Sequence, residues 1–73
     1  MKYLIVKENS CESAILFSEL LTHADIAGGL RVLGAGFCQL LNAGEVVCYR
    51  ESISCGVKSR GKEDEMIIAK ELA

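Results

Sequence analysis

Residues 2–7, KYLIVK, constrain the fold more than any other part of this chain. Four apolar residues follow one another without alternation between two lysines, and Ile5 and Val6 are β-branched. A strand with only one covered face alternates apolar and polar residues; an unbroken apolar run implies burial on both faces. Residues 2–7 therefore predict a central strand.

The chain is 73 residues long, which points to a single domain over 1–73. A domain of about 60 residues buries only ~60% of its unfolded surface, so its core is small. With 51% hydrophobic residues there is more apolar material than such a core absorbs, and a homodimer is the expected use of the excess. No apolar run approaches the ~20 residues of a membrane span, and MKYLIVKE is too short and too soon charged for a secretion signal; the expected location is cytoplasmic, with no membrane partner.

In a reducing compartment Cys11, Cys38, Cys48 and Cys55 are expected as free thiols packed like small apolar groups. With no CxxC pair and His23 as the only imidazole, neither a metal site nor a cofactor is predicted.

Asn9, with Glu12 three residues on, reads as a capping box. The apolar residues Ala14, Ile15, Leu16, Phe17, Leu20 and Leu21 then read as a helix from Cys11 to about Ala24, ended by Gly28 and Gly29. LRVLGAGFCQLL follows as a strand in which Gly34 and Gly36 mark a bulge or a close backbone approach. Asn42 to Gly44 is a three-residue turn, and EVVCYRESISC is the returning strand of a hairpin. Centring the turn on Ala43 sets Cys38 opposite Cys48, close enough for the two thiols to touch.

Lys62 to Leu72 closes the chain as a helix with Glu63, Asp64 and Glu65 in its first turn. The predicted fold class is α+β: a two-layer β-α-β-β-α domain. Its small mixed three-stranded sheet has the first two strands parallel across a right-handed crossover, and both helices cover one face.

The stretch SISCGVKSRGKE, residues 52–63, is the best candidate for chemistry. Ser52, Ser54 and Ser59 offer hydroxyls, Gly56 offers an accessible backbone, and Lys58 and Arg60 offer positive charge, all just before a helix. The opposing reading is an ordinary solvated connection, with Glu63 to Glu65 already occupying the position an anion would take. Arg50, Lys58, Arg60 and Lys62 stand against Glu51 alone in a chain of net charge −2. Without an aromatic stacking platform, that local basicity does not predict nucleic-acid binding.

His23 falls near the predicted end of the first helix. Its nearest acid, Asp25, lies two residues away and would not face it on a helix. The role expected from the residues alone is structural or solvent-facing.

KYLIV, VLGAGFCQL and VVCYRESISCG followed by a helix resemble the KYVLI, LGGGRI and VYGYSMAYG segments of the Janus/Ocnus family, the protein histidine phosphatases. The match spans the first strand and roughly the second half of the chain. It implies that Lys2, Gly34, Gly36, Tyr49, Ser52, Ser54 and Gly56 lie near a phosphate site, with Ser52 and the backbone around Ser54 as donors. The catalytic histidine of that family opens a helix in an HAD context, and HADI occurs here at residues 23–26, which implies His23 in that role. Phe37 stands where the family carries an arginine.

Two functional readings follow. One is a self-associating module without catalytic machinery that binds a small anion or a protein partner. The other is a phosphohistidine-phosphatase-like hydrolase of reduced size.

Overall fold

The computed structural model describes residues 1–41 and 44–72. The first strand, β1 (Lys2–Glu8), is central as expected: Tyr3, Leu4, Ile5 and Val6 are all buried, alternately on its two faces. Asn9 and Ser10 both take positive φ, 48° and 73°. That is the signature of a two-residue hairpin turn whose twist matches the strands it joins. The chain reverses there into β2 (Cys11–Phe17), which runs antiparallel along the whole of β1, from Glu8 opposite Cys11 to Lys2 opposite Phe17.

The helix expected over Cys11–Ala24 is therefore replaced by a strand. A short contiguous apolar run such as Ala14–Phe17 fits either period, and its neighbours decide. Ala14 and Leu16 pack on one face of the sheet, Ile15 and Phe17 on the other. Asn9 does not cap a helix, and Glu12 accepts a hydrogen bond from Arg60.

The helix begins where the sequence suggested it would end. In α1 (His23–Ala27), Thr22 is the N-cap and its hydroxyl accepts the Asp25 N–H at 3.1 Å. Gly28, at φ 54°, ends the helix as anticipated and donates its N–H to the Ala24 carbonyl. Next, β3 (Arg31–Leu40) pairs with the other edge of β1, again antiparallel. Since β2 and β3 both oppose β1, they run in the same direction, and residues 18–30 carry the chain between them past β1. The expected helical crossover thus joins β2 to β3, and the predicted parallel pairing of the first strand with β3 is overturned.

The hairpin from β3 to β4 (Val46–Tyr49) has the expected register, with Cys38 opposite Cys48. Asn42 and Ala43 of its turn lie outside the described residues; Gly44 has a φ of 77°. The returning strand does not run on to Cys55. Arg50, at φ 63°, turns the chain out of the sheet. Then β5 (Glu51–Ser52) and β6 (Val57–Lys58) form a separate two-stranded sheet. The main sheet has the order β2-β1-β3-β4.

The last element, α2 (Lys62–Leu72), matches the expected helix. Ile67 and Ile68 of α2 pack on the face carrying Tyr3, Ile5, Cys38 and Cys48. The opposite face, with Leu4, Val6 and Ala35, is covered by Ile26 and Ala27 of α1 and by Cys55 and Val57 of the small sheet. The domain is α+β, but its central layer is a four-stranded antiparallel sheet covered on both faces. The predicted three-stranded mixed sheet with both helices on one side is corrected by the Asn9–Ser10 turn, which adds a strand and moves α1 to the other side.

Both strand glycines mark close approaches. A Cβ on Gly34 would collide with the Asp64 carboxylate, and one on Gly36 would lie 2.5 Å from the Tyr49 carbonyl oxygen. The β1–β3 register also shifts between Ile5 and Val6, so Gly34 sits beside a bulge.

Candidate functional site

His23 is 3% exposed and opens α1. Its Nε2 lies 2.8 Å from the Gly36 carbonyl oxygen. A carbonyl only accepts, so Nε2 carries the proton of this bond, and a neutral ring keeps its lone pair on Nδ1. Phe17 and Phe37 meet the imidazole edge-on, at 5.3 and 6.2 Å between centroids. Nδ1 has no partner among the described residues, yet no buried side-chain nitrogen or oxygen among them lacks one. The ring is thus fixed through Nε2, and Nδ1 is left without a hydrogen-bond partner among the described residues. Gly36 contributes twice: its missing side chain admits the Tyr49 backbone, and its carbonyl orients His23. Asp25, the acid nearest in sequence, is exposed and is not the partner that orients the ring.

Three other sequence candidates converge on the residues around His23. Lys2 Nζ donates to the Leu21 carbonyl at 2.8 Å. Ser54 Oγ accepts the Ala24 N–H at 3.1 Å. Ser52, 1% exposed, has its Oγ 3.4 Å from that of Ser54 and accepts the Cys55 N–H at 3.1 Å. The turn from Ser52 to Gly56 is closed by a bond from the Gly56 N–H to the Ser52 carbonyl, with Gly56 at φ 67°. Lys2 and Ser54 thus bond to backbone groups within two residues of His23, and Ser52 lies beside Ser54.

Ser59 and Arg60 belong to a different cluster. The buried Asp64 carboxylate accepts from the Tyr3 hydroxyl at 2.5 Å, from Arg60 Nε at 2.7 Å and from the Arg60 N–H at 2.9 Å. Ser59 Oγ lies 2.7 Å from the Tyr3 hydroxyl. Arg60 also pairs with Glu12 at 3.0 Å and Glu63 at 3.6 Å. Burial and the bond to Asp64 push the Tyr3 phenol well above its ordinary pKa. Burial alone would lower the Arg60 pKa, but its bonds to Glu12 and Asp64 outweigh that and raise it. The acids expected to repel an anion at the start of α2 are engaged too: Glu65 accepts the Cys48 N–H at 2.9 Å.

All four cysteines are free; Cys38 and Cys48 are buried, Cys11 is exposed. Burial raises the pKa of both buried thiols, that of Cys48 to about 12 with a further contribution from Cys38. Among the described residues no three His, Cys, Asp or Glu side chains are grouped to hold a metal ion, and no helix is long and apolar enough to cross a membrane.

Sequence reasoning did not anticipate the Gly36 carbonyl or the Tyr3–Asp64 contact. The second joins residues 61 positions apart, and no local pattern signals it. Lys58, the expected anion ligand, lines an open cleft with Phe37 and Arg50, and Arg50, expected only as part of a basic stretch, stands over the Phe37 ring at 5.7 Å. Against known proteins, the chain matches no family model, no curated protein and no solved structure.

Proposed function

We propose that this protein is a small phosphohydrolase of the Janus/Ocnus type, acting on phosphoramidates such as phosphohistidine, with His23 as general base. The carrying observation is the placement of His23: first residue of its helix, buried, held through Nε2 by the Gly36 carbonyl, with Nδ1 unbonded among the described residues. A base of this kind must be oriented through one nitrogen and open at the other. Lys2 and Ser54, each bonded to a backbone group within two residues of His23, and Ser52 beside Ser54 are the candidates to hold the phosphoryl oxygens. In hydrolysis Nδ1 takes a proton from water as the water oxygen bonds to phosphorus. The P–N bond breaks with its electron pair on nitrogen, and the proton passes from His23 to that nitrogen.

The test is hydrolysis of phosphoramidate. His23→Ala should lower turnover at least about a hundredfold, the low end for loss of a positioned base. Unchanged turnover in that variant, or none in the wild type, rejects the reading.

The reading as a self-associating module is favoured by a separate observation. Leu20 is 94% exposed, next to Leu21 at 43%, with Met1 at 45% lining the same surface hollow as Leu20 at the end of edge strand β2. Pairing through this edge would cover them. Sedimentation at micromolar concentration tests it: a dimer that Leu20→Lys dissociates supports the reading, and a strict monomer removes it.

A further inference from the structure

We infer that the cleft next to His23 receives the departing portion of the substrate, and that this portion carries a negative charge of its own. This proposal rests on the phosphoryl-site reading and adds a substrate class to it: phosphoryl compounds whose leaving group holds a second anionic group, a carboxylate or a phosphate, beyond an apolar spacer.

Phe37, Arg50, Glu51, Ile53 and Lys58 line an open cleft of about 520 Å³. It adjoins the phosphoryl site at two points. The Phe37 ring meets His23 edge-on, and Ile53 lies between Ser52 and Ser54 in the chain. A leaving group departing from phosphorus at His23 has this cleft as its neighbouring space.

In the lining Arg50 and Lys58 outnumber the one acid, Glu51. Arg50 Cζ stands 5.7 Å from the centre of the Phe37 ring, and Lys2 Nζ, outside the lining, stands 5.8 Å from the same centre. Among the described residues, none of Lys2, Arg50 and Lys58 forms an ion pair, whereas Arg60 forms three. Glu51 is the one acid in the lining, and it stands opposite Lys58 in the β5–β6 pairing without reaching it as an ion pair. A cleft lined by an excess of one sign of charge attracts a complementary ion.

Arg50 adopts a φ of 63°, a conformation that glycine takes freely and a side chain takes at a cost. The apolar lining fits the spacer: Phe37 forms the floor, and Ile53, 90% exposed, stands at the rim.

The experiment compares two inert probes, benzylphosphonate and 4-carboxybenzylphosphonate, by titration of backbone amide shifts at low salt. The wild type should bind the carboxylated probe up to about five-fold more tightly, the limit set by one exposed ion pair. Added salt should shrink the ratio. In Arg50→Gln it should fall, and in the Arg50→Gln, Lys58→Gln double variant it should reach one, with amide shifts elsewhere confirming an intact fold. Equal affinities in the wild type, a preference that survives the double variant, or no binding of either probe at 10 mM would overturn the proposal. Turnover plays no part in this measurement. A protein that hydrolyses phosphoramidate but does not prefer the carboxylated probe loses only the leaving-group inference. One that shows the preference without hydrolysis loses only the assigned reaction.

Discussion

On the face covered by α2, Tyr3, Ser59, Arg60 and Asp64 are bonded to one another, and Arg60 reaches two more carboxylates at the rim. On the face covered by α1 and the small sheet, His23 is equally buried but bonded at one nitrogen only, and Lys2, Arg50 and Lys58 form no ion pairs among the described residues. The two faces lie on opposite sides of the same strands and use similar residue types. Where polar groups close on one another they hold the fold together. Where they are oriented but left open they can bind something else.

Breaking the closed cluster should produce the largest stability effect. Asp64→Ala leaves the Tyr3 hydroxyl and Arg60 facing an empty site and should cost about 3–5 kcal/mol, read from urea unfolding. If Asp64→Ala instead leaves stability unchanged, the distinction between the faces fails.

Next in size is an alkaline loss specific to the α2 face. In the unfolded chain the Cys48 thiol ionises near its ordinary 9.0, in the folded protein near 12. Below pH 9 both states hold the proton and the stabilisation is complete. Between pH 9 and 12 the unfolded chain releases it and the folded one does not, so stability falls as pH rises. The Cys48 share of the loss should reach up to about 4 kcal/mol, at roughly 1.4 kcal/mol for each pH unit, and Cys48→Ala should reduce the slope, leaving the part due to the raised Cys38 and Tyr3 groups. Unfolding curves at pH 8 and pH 11 measure the slope.

The smallest of the three is Gly34→Ala. Its Cβ would enter the space of a carboxylate held by Tyr3 and Arg60, which cannot move aside freely. Overpacking of this kind costs about 1–3 kcal/mol. The change in thermal midpoint should be partly relieved when Asp64→Ala is added, which would place the clash on that carboxylate.

Much of the frame could be read from residues that speak with a single voice. KYLIVK has no polar alternation and becomes the central strand; Lys62–Leu72 has acids first and an apolar stripe after, and becomes α2. The glycines of VLGAGF mark real close approaches, and the Cys38–Cys48 register follows from the turn. Ala14–Phe17 was ambiguous because β2 buries apolar groups on both faces, which removes the alternation that identifies a strand. Its turn, Asn9–Ser10, lacks the glycine that usually announces a two-residue hairpin. Misreading that one segment also displaced His23 from the start of a helix to its end. SISCGVKSRGKE proved to be two things: Ser52 and Ser54 beside His23, Ser59 and Arg60 in the buried cluster. A turn and a pair of strands separate them, and no spacing rule fixes in advance which way each points.

The Asn9–Ser10 reversal also bears on how the chain avoids sticking to its neighbours while it is being made. The segment most prone to aggregate, Tyr3 to Val6, is followed directly by the residues that pair along one of its edges. A ribosome releases the N-terminal part first, and sticky strands are at risk until they find partners. Here one flank is shielded after only a handful of further residues have emerged, long before β3 arrives to close the other.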